Sequence, residues 1–329
     1  MTSQPENALQ LPINQALDDS RNQALRAKLL PALWGLSGAA LRQSDPYIDY
    51  YNSHMIFIEA YNLHIRTHQD LLDLINSIRS KSSVPLDVLL KELNAEFPQL
   101  GPAMRAVEIA VRIWLMISTE GWETTQSLED FLNHCFPTSK QLPHADPFPL
   151  AFNALNLQRI GAFQIVWTEC SQDHLSLTIT ETQKVLNLFH LSAFLQSNKH
   201  GLDGTIFPPN LLQETAQTLS LLIPASNIDC MRWVRKAQRQ DEIDLEAGLF
   251  PPTSRDISNY PYWGRQLQIL RDEHDRTEPT TLKQWILDRR RPNQRYTFLI
   301  AVVALALALF FGLVQSVTGV LQVVYSARE

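Results

Sequence analysis

The chain has little cysteine: Cys135, Cys170 and Cys230 are the only three in 329 residues, widely spaced and without a CxxC pair. That usage excludes a disulfide framework and a cysteine-built zinc knuckle, and it fits a reducing compartment. No asparagine opens an N-x-Ser/Thr sequon, in keeping with a body that does not meet the glycosylation machinery. The start, MTSQPENALQLPINQALDDS, lacks the basic and apolar regions of a secretory signal, so no cleaved targeting peptide is expected. A Walker lysine pattern, G-x-G-x-x-G and G-x-S-x-G are missing too, which argues against common nucleotide enzymes and hydrolases. No cofactor is expected.

Net positive charge is concentrated in one place. Net charge is −6 and residues 283–296 alone carry +4, so the first 282 residues carry −10. An acidic body is a poor nucleic-acid binder, because affinity for a phosphate backbone depends on Lys and Arg releasing counterions. Nucleic acid is therefore set aside as a partner. Composition is that of a folded protein, 45% hydrophobic and 19% charged, with length enough for one or two cores.

What the chain does have is a run without any charge, from Tyr296 to Ala327. A hydrocarbon core of about 30 Å needs about 20 apolar residues in helix, and Phe298 to Val317 supplies them. The segment FLIAVVALALALFFGLV has no polar stripe, unlike a buried core helix of that length. Trp285 and Tyr296 precede it and Tyr325 follows it, where ring side chains favour the two headgroup layers. Lys283, Arg289, Arg290, Arg291 and Arg295 stand before the span and only Arg328 after it. This bias predicts a single-pass, tail-anchored protein with its body in the cytosol. Sparse basic charge after the span favours the endoplasmic reticulum and the secretory route over mitochondria. The segment TTLKQWILDRRR, with Trp285 among basic residues, suits an interfacial helix touching anionic headgroups of the bilayer. Within the span Ala304, Ala308, Gly312 and Ser316 recur every four residues, with Gln315, Gly319 and Gln322 beside them. Such a face lets a second helix approach, so a homo-oligomer through the membrane helix is one expectation.

The body reads as mainly α with a small β element. Residues 1–20 read as a polar, disordered leader, and 21–136 as a helical unit. Its helices are expected from Ser20 to Leu30, with Pro31 and Gly35 marking a break, and as one long helix from Ser53 to Ser80. Ile58, Tyr61, Ile65, Leu72, Ile75 and Ile78 lie near one face of the latter. Pro85 and Pro102 open two further helices, as proline does in a first turn, and SLEDFLNHCF forms a short one. Residues 137–149 hold four prolines and read as a linker. Residues 150–276 combine two strands, FQIVWT and KVLNLFHL, with helices beginning at Pro209 and near Tyr262. Residues 277–296 form the basic juxtamembrane segment and 297–325 the transmembrane helix.

Three blocks carry a resemblance: FNALNLQRIGAFQIVWTECSQDHLSL, NLLQETAQTLSLLIP, and YPYWGRQLQILRDEHDRTEPTTLKQWILDRRRPNQRYTFLIAVVALALALFFGLVQSVTGVLQVV. Together, over about residues 150–325, they resemble an uncharacterised filamentous-fungal family. Its members carry an I-x-W-T…D-H-L block, a W-x-x-R-L-x-x-L helix and a D-R-R…Y-T-F entry into one C-terminal membrane helix. Gln266 intervenes in the second block here, and Leu299 stands where a tryptophan is common. The resemblance implies a fungal source and membrane residence and brings no activity.

Two pairs of residues have spacings that suggest chemistry. His64 and His68 stand four apart, the spacing of a shared metal on one helix face, but Ile65 occupies the glutamate position of H-E-x-x-H. A polar helix face accounts for both. Cys170 and His174 are also four apart beside Asp173, so a thiol–imidazole nucleophile is one reading and a capped turn the other. The preferred function is a membrane-tethered module that binds other proteins. A membrane-bound enzyme with its site near Cys170 and His174 is the alternative.

Overall fold

The computed structural model describes residues 8–13, 19–35, 45–139, 146–196, 206–241, 243, 254–278, 281, 284 and 292–327. The body is mainly α-helical with one small sheet. Six helices come first: α1 (Asp19–Trp34), α2 (Asp45–Ala60), α3 (His68–Ser80), α4 (Leu86–Glu96), α5 (Ala103–Leu115) and α6 (Leu128–Cys135). Helix α5 is central. Ala106, Val107, Ile109, Ala110, Val111, Ile113, Trp114 and Leu115 are all buried, a wide apolar face that leaves the stripe of Arg105, Glu108 and Arg112 toward solvent.

Two helix expectations need correction. The long helix read over 53–80 is broken: α2 stops at Ala60, Asn62 takes φ 54°, and α3 starts again at His68. Within the break the His64 amide pairs with the Leu100 carbonyl. Thr67 and Asp70 then form a reciprocal cap, each side chain accepting from the other's backbone amide, which satisfies orphan donors of the new helix. Ile58, Ile65, Leu72, Ile75 and Ile78 are buried as expected, because the apolar period runs on through the break. Helix α1 passes through Pro31 and ends instead at Gly35, whose φ of 68° and amide bond to the Pro31 carbonyl stop it.

Three aromatic side chains donate to carbonyls in the last turn of α5, where the Arg112 carbonyl also accepts the Met116 amide. Trp34 Nε1 donates to the Trp114 carbonyl at 2.8 Å, Tyr47 Oη to Ile113 at 2.9 Å, and Tyr50 Oη to Arg112 at 3.1 Å. A helix end leaves its last four carbonyls without intrahelical partners, and α1 and α2 are fixed against α5 by supplying them.

Past α6, the Ser139 amide bonds the Pro261 carbonyl and the Phe148 amide bonds the Arg255 carbonyl. The Arg255 guanidinium reaches the carbonyls of Phe148, Pro149 and Phe152. Both described ends of the proline-rich segment are therefore tied to the body. Buried residues on either side of it, from Ala8 to Leu270, belong to one hydrophobic core.

Next come α7 (Ala154–Arg159), β1 (Phe163–Thr168), β2 (Leu177–Ile179), β3 (Lys184–Phe189), α8 (Ser192–Leu195), α9 (Leu211–Leu222), α10 (Ile228–Asp241) and α11 (Gly264–Arg276). The sheet order is β1-β3-β2. Strand β3 runs parallel to β1, Phe163 opposite Lys184, and antiparallel to β2, Leu177 opposite Leu186. Both strands expected from sequence are present; β2, with three residues, is too short to show alternation. Last is α12 (Pro292–Ser326), 35 residues and so about 52 Å long.

Candidate functional site: membrane anchor and Cys170 cleft

Residues Tyr296–Val323 of α12 form a 28-residue apolar stretch, long enough to cross a membrane, and none of its most apolar window is buried in the protein. Ala304, Ala308, Gly312 and Ser316 are exposed, and a Cβ placed on Gly312 would meet nothing within 4 Å. Among the described residues nothing fills that face at Gly312. Tyr296 is exposed near the start of the helix, and Arg295 and Tyr325 lie within its bounds. Trp285, Arg289, Arg290 and Arg291 fall outside the described residues, so most of the interfacial helix does too. At its expected start, the Gln284 amide donates to Thr281 Oγ1 and the Thr281 amide to Gln284 Oε1, the exchange that opens a helix.

Cys170 follows β1 and enters a short 3-10 turn, Ser171–Asp173. Its amide donates to Thr168 Oγ1, and its thiol meets Gln172 Oε1 at 3.6 Å. Gln172 Nε2 in turn donates to Cys135 Sγ at 3.0 Å. His174 turns the other way, into the core. Its Nδ1 accepts the Phe189 amide at 3.2 Å, which leaves the proton on Nε2 for Thr218 Oγ1 at 2.7 Å. Thr218 donates onward to the Thr215 carbonyl, and Trp263 Nε1 donates to Thr215 Oγ1. The Trp263 ring stands edge-on to the imidazole at 4.9 Å. Burial holds His174 down to about 3 and pushes the Cys170 thiol up. The structure thus does not join the thiol to the imidazole: both ring nitrogens are engaged elsewhere, and α9 and β3 fix the ring where Cys170 cannot use it.

Cys170 instead borders a cleft of about 290 Å³ at the end of β1 and α5, with Tyr50, His54, Arg112, Glu169 and Asp173. Burial raises the Glu169 carboxyl and lowers His54, whose Nδ1 meets the Tyr50 carbonyl at 2.8 Å. The chain matches no protein-family model, no curated protein and no solved structure compared with it.

His64 and His68 are not a helical pair. His64 lies in the break before α3 and is exposed, while His68 is buried with Nδ1 2.8 Å from Tyr51 Oη. Burial lowers His68 to about 4. Among the described residues no group of three or more potential metal ligands converges.

Two other features lie outside the sequence expectations. A cleft of about 440 Å³ lies between α7 and the start of α10, lined by Leu150, Asn153, Arg159, Asn227, Asp229 and His274 among others. The Glu214 carboxylate, buried between α9 and α11, accepts the amides of Tyr262 and Trp263 at 2.7–3.1 Å. Burial raises it to about 7 although those amides pull the other way. The E-T in NLLQETAQTL sits inside an apolar period, which was the available signal that Glu214 faces inward.

Proposed function

We propose that this is a tail-anchored membrane protein whose helical body works in the cytosol as a protein-interaction or tethering module. The observation that carries the reading is α12, whose uncharged 28-residue stretch Tyr296–Val323 has none of its most apolar window buried against the described residues. The basic flank from Lys283 to Arg295 supports placing the body on the cytosolic side and its arginines against anionic headgroups. Confinement to a surface raises the body's effective concentration for partners held there, and that is the mechanism of tethering. The same reading includes a fungal source, the endoplasmic reticulum or secretory-route membranes, and pairing of two copies through Ala304, Ala308, Gly312 and Ser316.

The test is direct. Full-length chain in cells should resist extraction by alkaline carbonate, while its body should be digested by protease only after the plasma membrane is opened. Complete carbonate extraction, or digestion of the body in intact cells, would refute the reading. Proximity labelling from the body then reports the organelle and the neighbours together.

A further inference from the structure

Helix α10 carries a feature at odds with the charge of its surroundings. Cys230, Val234 and Ala237 face inward and are buried, while Arg232, Arg235, Lys236 and Arg239 are exposed. With Ile228 these basic residues stand at steps of four, seven, eight and eleven, so all five lie within about 100° of arc on a helix of 3.6 residues per turn. Ile228 is 66% exposed and Leu150, on the cleft shared with Asn227 and Asp229, is 81% exposed. Arg159 of α7 is exposed at the same cleft. Among the described residues only Arg232 of the four meets a carboxylate, Asp229 at 3.4 Å. Asp241 closes α10 two residues after Arg239, and Glu242, Asp244 and Glu246 follow it in sequence.

We infer that this face of α10 docks the body onto an anionic lipid surface, the leaflet in which α12 is anchored. The inference rests on the membrane reading of α12. Four cations in line on one exposed helix face, inside a stretch of net charge −10, form a basic field on an otherwise acidic body. Ile228 and Leu150 beside them supply apolar groups that can enter the headgroup layer, as in helices that lie in the interface. Each Lys or Arg near an anionic surface changes partitioning by about five-fold, so four together amount to roughly two orders of magnitude or more.

Full-length protein reconstituted in neutral phosphatidylcholine vesicles and in vesicles with about 30% phosphatidylserine separates the possibilities by hydrogen exchange. The amides of Ile228–Asp241 should exchange at least ten-fold more slowly in the anionic vesicles, and about 1 M salt should remove the difference. The variant with Arg232→Glu, Arg235→Glu, Lys236→Glu and Arg239→Glu should exchange at the neutral-vesicle rate in both. Its thermal midpoint should be unchanged, since these side chains are exposed. Equal exchange in neutral and anionic vesicles overturns the inference, and so does protection that the variant retains. Should a polyglutamate peptide protect α10 where anionic lipid does not, the partner is an acidic protein and the lipid proposal fails. Flotation of the same vesicles reports α12 separately: loss of flotation refutes the anchor, whereas flotation without protection refutes the docking face alone.

Discussion

Lowering the pH from about 7.5 to about 5 should destabilise the body, and three buried histidines set the size of the effect. His68 and His190 are held to about 4 and His174 to about 3, each by burial. An unfolded histidine titrates near 6.5, so below that pH the unfolded chain binds protons that the folded body refuses. The stability they contribute is complete above about 6.5, falls as pH drops, and is exhausted near 4 for two of them and near 3 for the third. At about pH 5 each contributes a loss of about 2 kcal/mol, or about 6 kcal/mol for the three. Glu214 opposes them. Its folded value of about 7 lies above the ordinary 4.5, so it gains stability as pH falls through 7, about 2 kcal/mol by pH 5. The net loss from these four groups is about 4 kcal/mol, a large part of a typical total of about 5–15 kcal/mol. Urea unfolding of the full chain in detergent, followed by fluorescence of the buried Trp34, Trp114 and Trp263, measures it at both pH values. Equal stability at about pH 7.5 and 5, or greater stability at 5, would refute the reasoning. Glu214→Gln should steepen the acid loss, because the opposing contribution goes with the carboxyl.

Other predictions concern single side chains. Trp34→Phe strands the buried Trp114 carbonyl and should lower stability by about 1–3 kcal/mol in the same urea assay; an unchanged midpoint would show that the bond contributes nothing. Cys170, with its thiol pushed up by burial, should alkylate with iodoacetamide several-fold more slowly than in the urea-unfolded chain at neutral pH, read by mass spectrometry; faster labelling in the native state would indicate an activated nucleophile. Gly312→Leu should abolish crosslinked dimers of the full chain in membranes, and dimers at wild-type level would remove the small-residue face as a contact.

The helices that sequence reveals best are those whose period and caps agree. Pro85 and Pro102 stand at the N-caps of α4 and α5, and Ser127 caps α6 by accepting the Asp130 amide. The break between α2 and α3 was hidden because Ile58 and Ile65 keep the apolar period across it, and Thr67-x-x-Asp70 was the mark of the new start. Helix α10 went unread because its buried face is narrow: Cys230, Val234 and Ala237 are small among arginines. At Cys170 and His174 a four-residue spacing means proximity only within a helix, and here a 3-10 turn lies between them. The direction of a ring after such a turn is decided by Thr218 and Phe189, partners that lie 44 and 15 residues away. The apolar helix α12 was legible because its signal is composition alone, which no distant contact has to complete.

The three aromatic donors at the end of α5 reach it from 80, 66 and 62 residues upstream. During synthesis the first two helices therefore leave the ribosome well before their docking surface exists. Until Trp114 emerges, Trp34, Tyr47 and Tyr50 have no α5 carbonyls to engage, and the apolar sides of α1 and α2 stay open to solvent or to a chaperone. Assembly of the N-terminal half is thus timed by the completion of α5, and a stall before that point would release a sticky fragment in place of a partly finished fold.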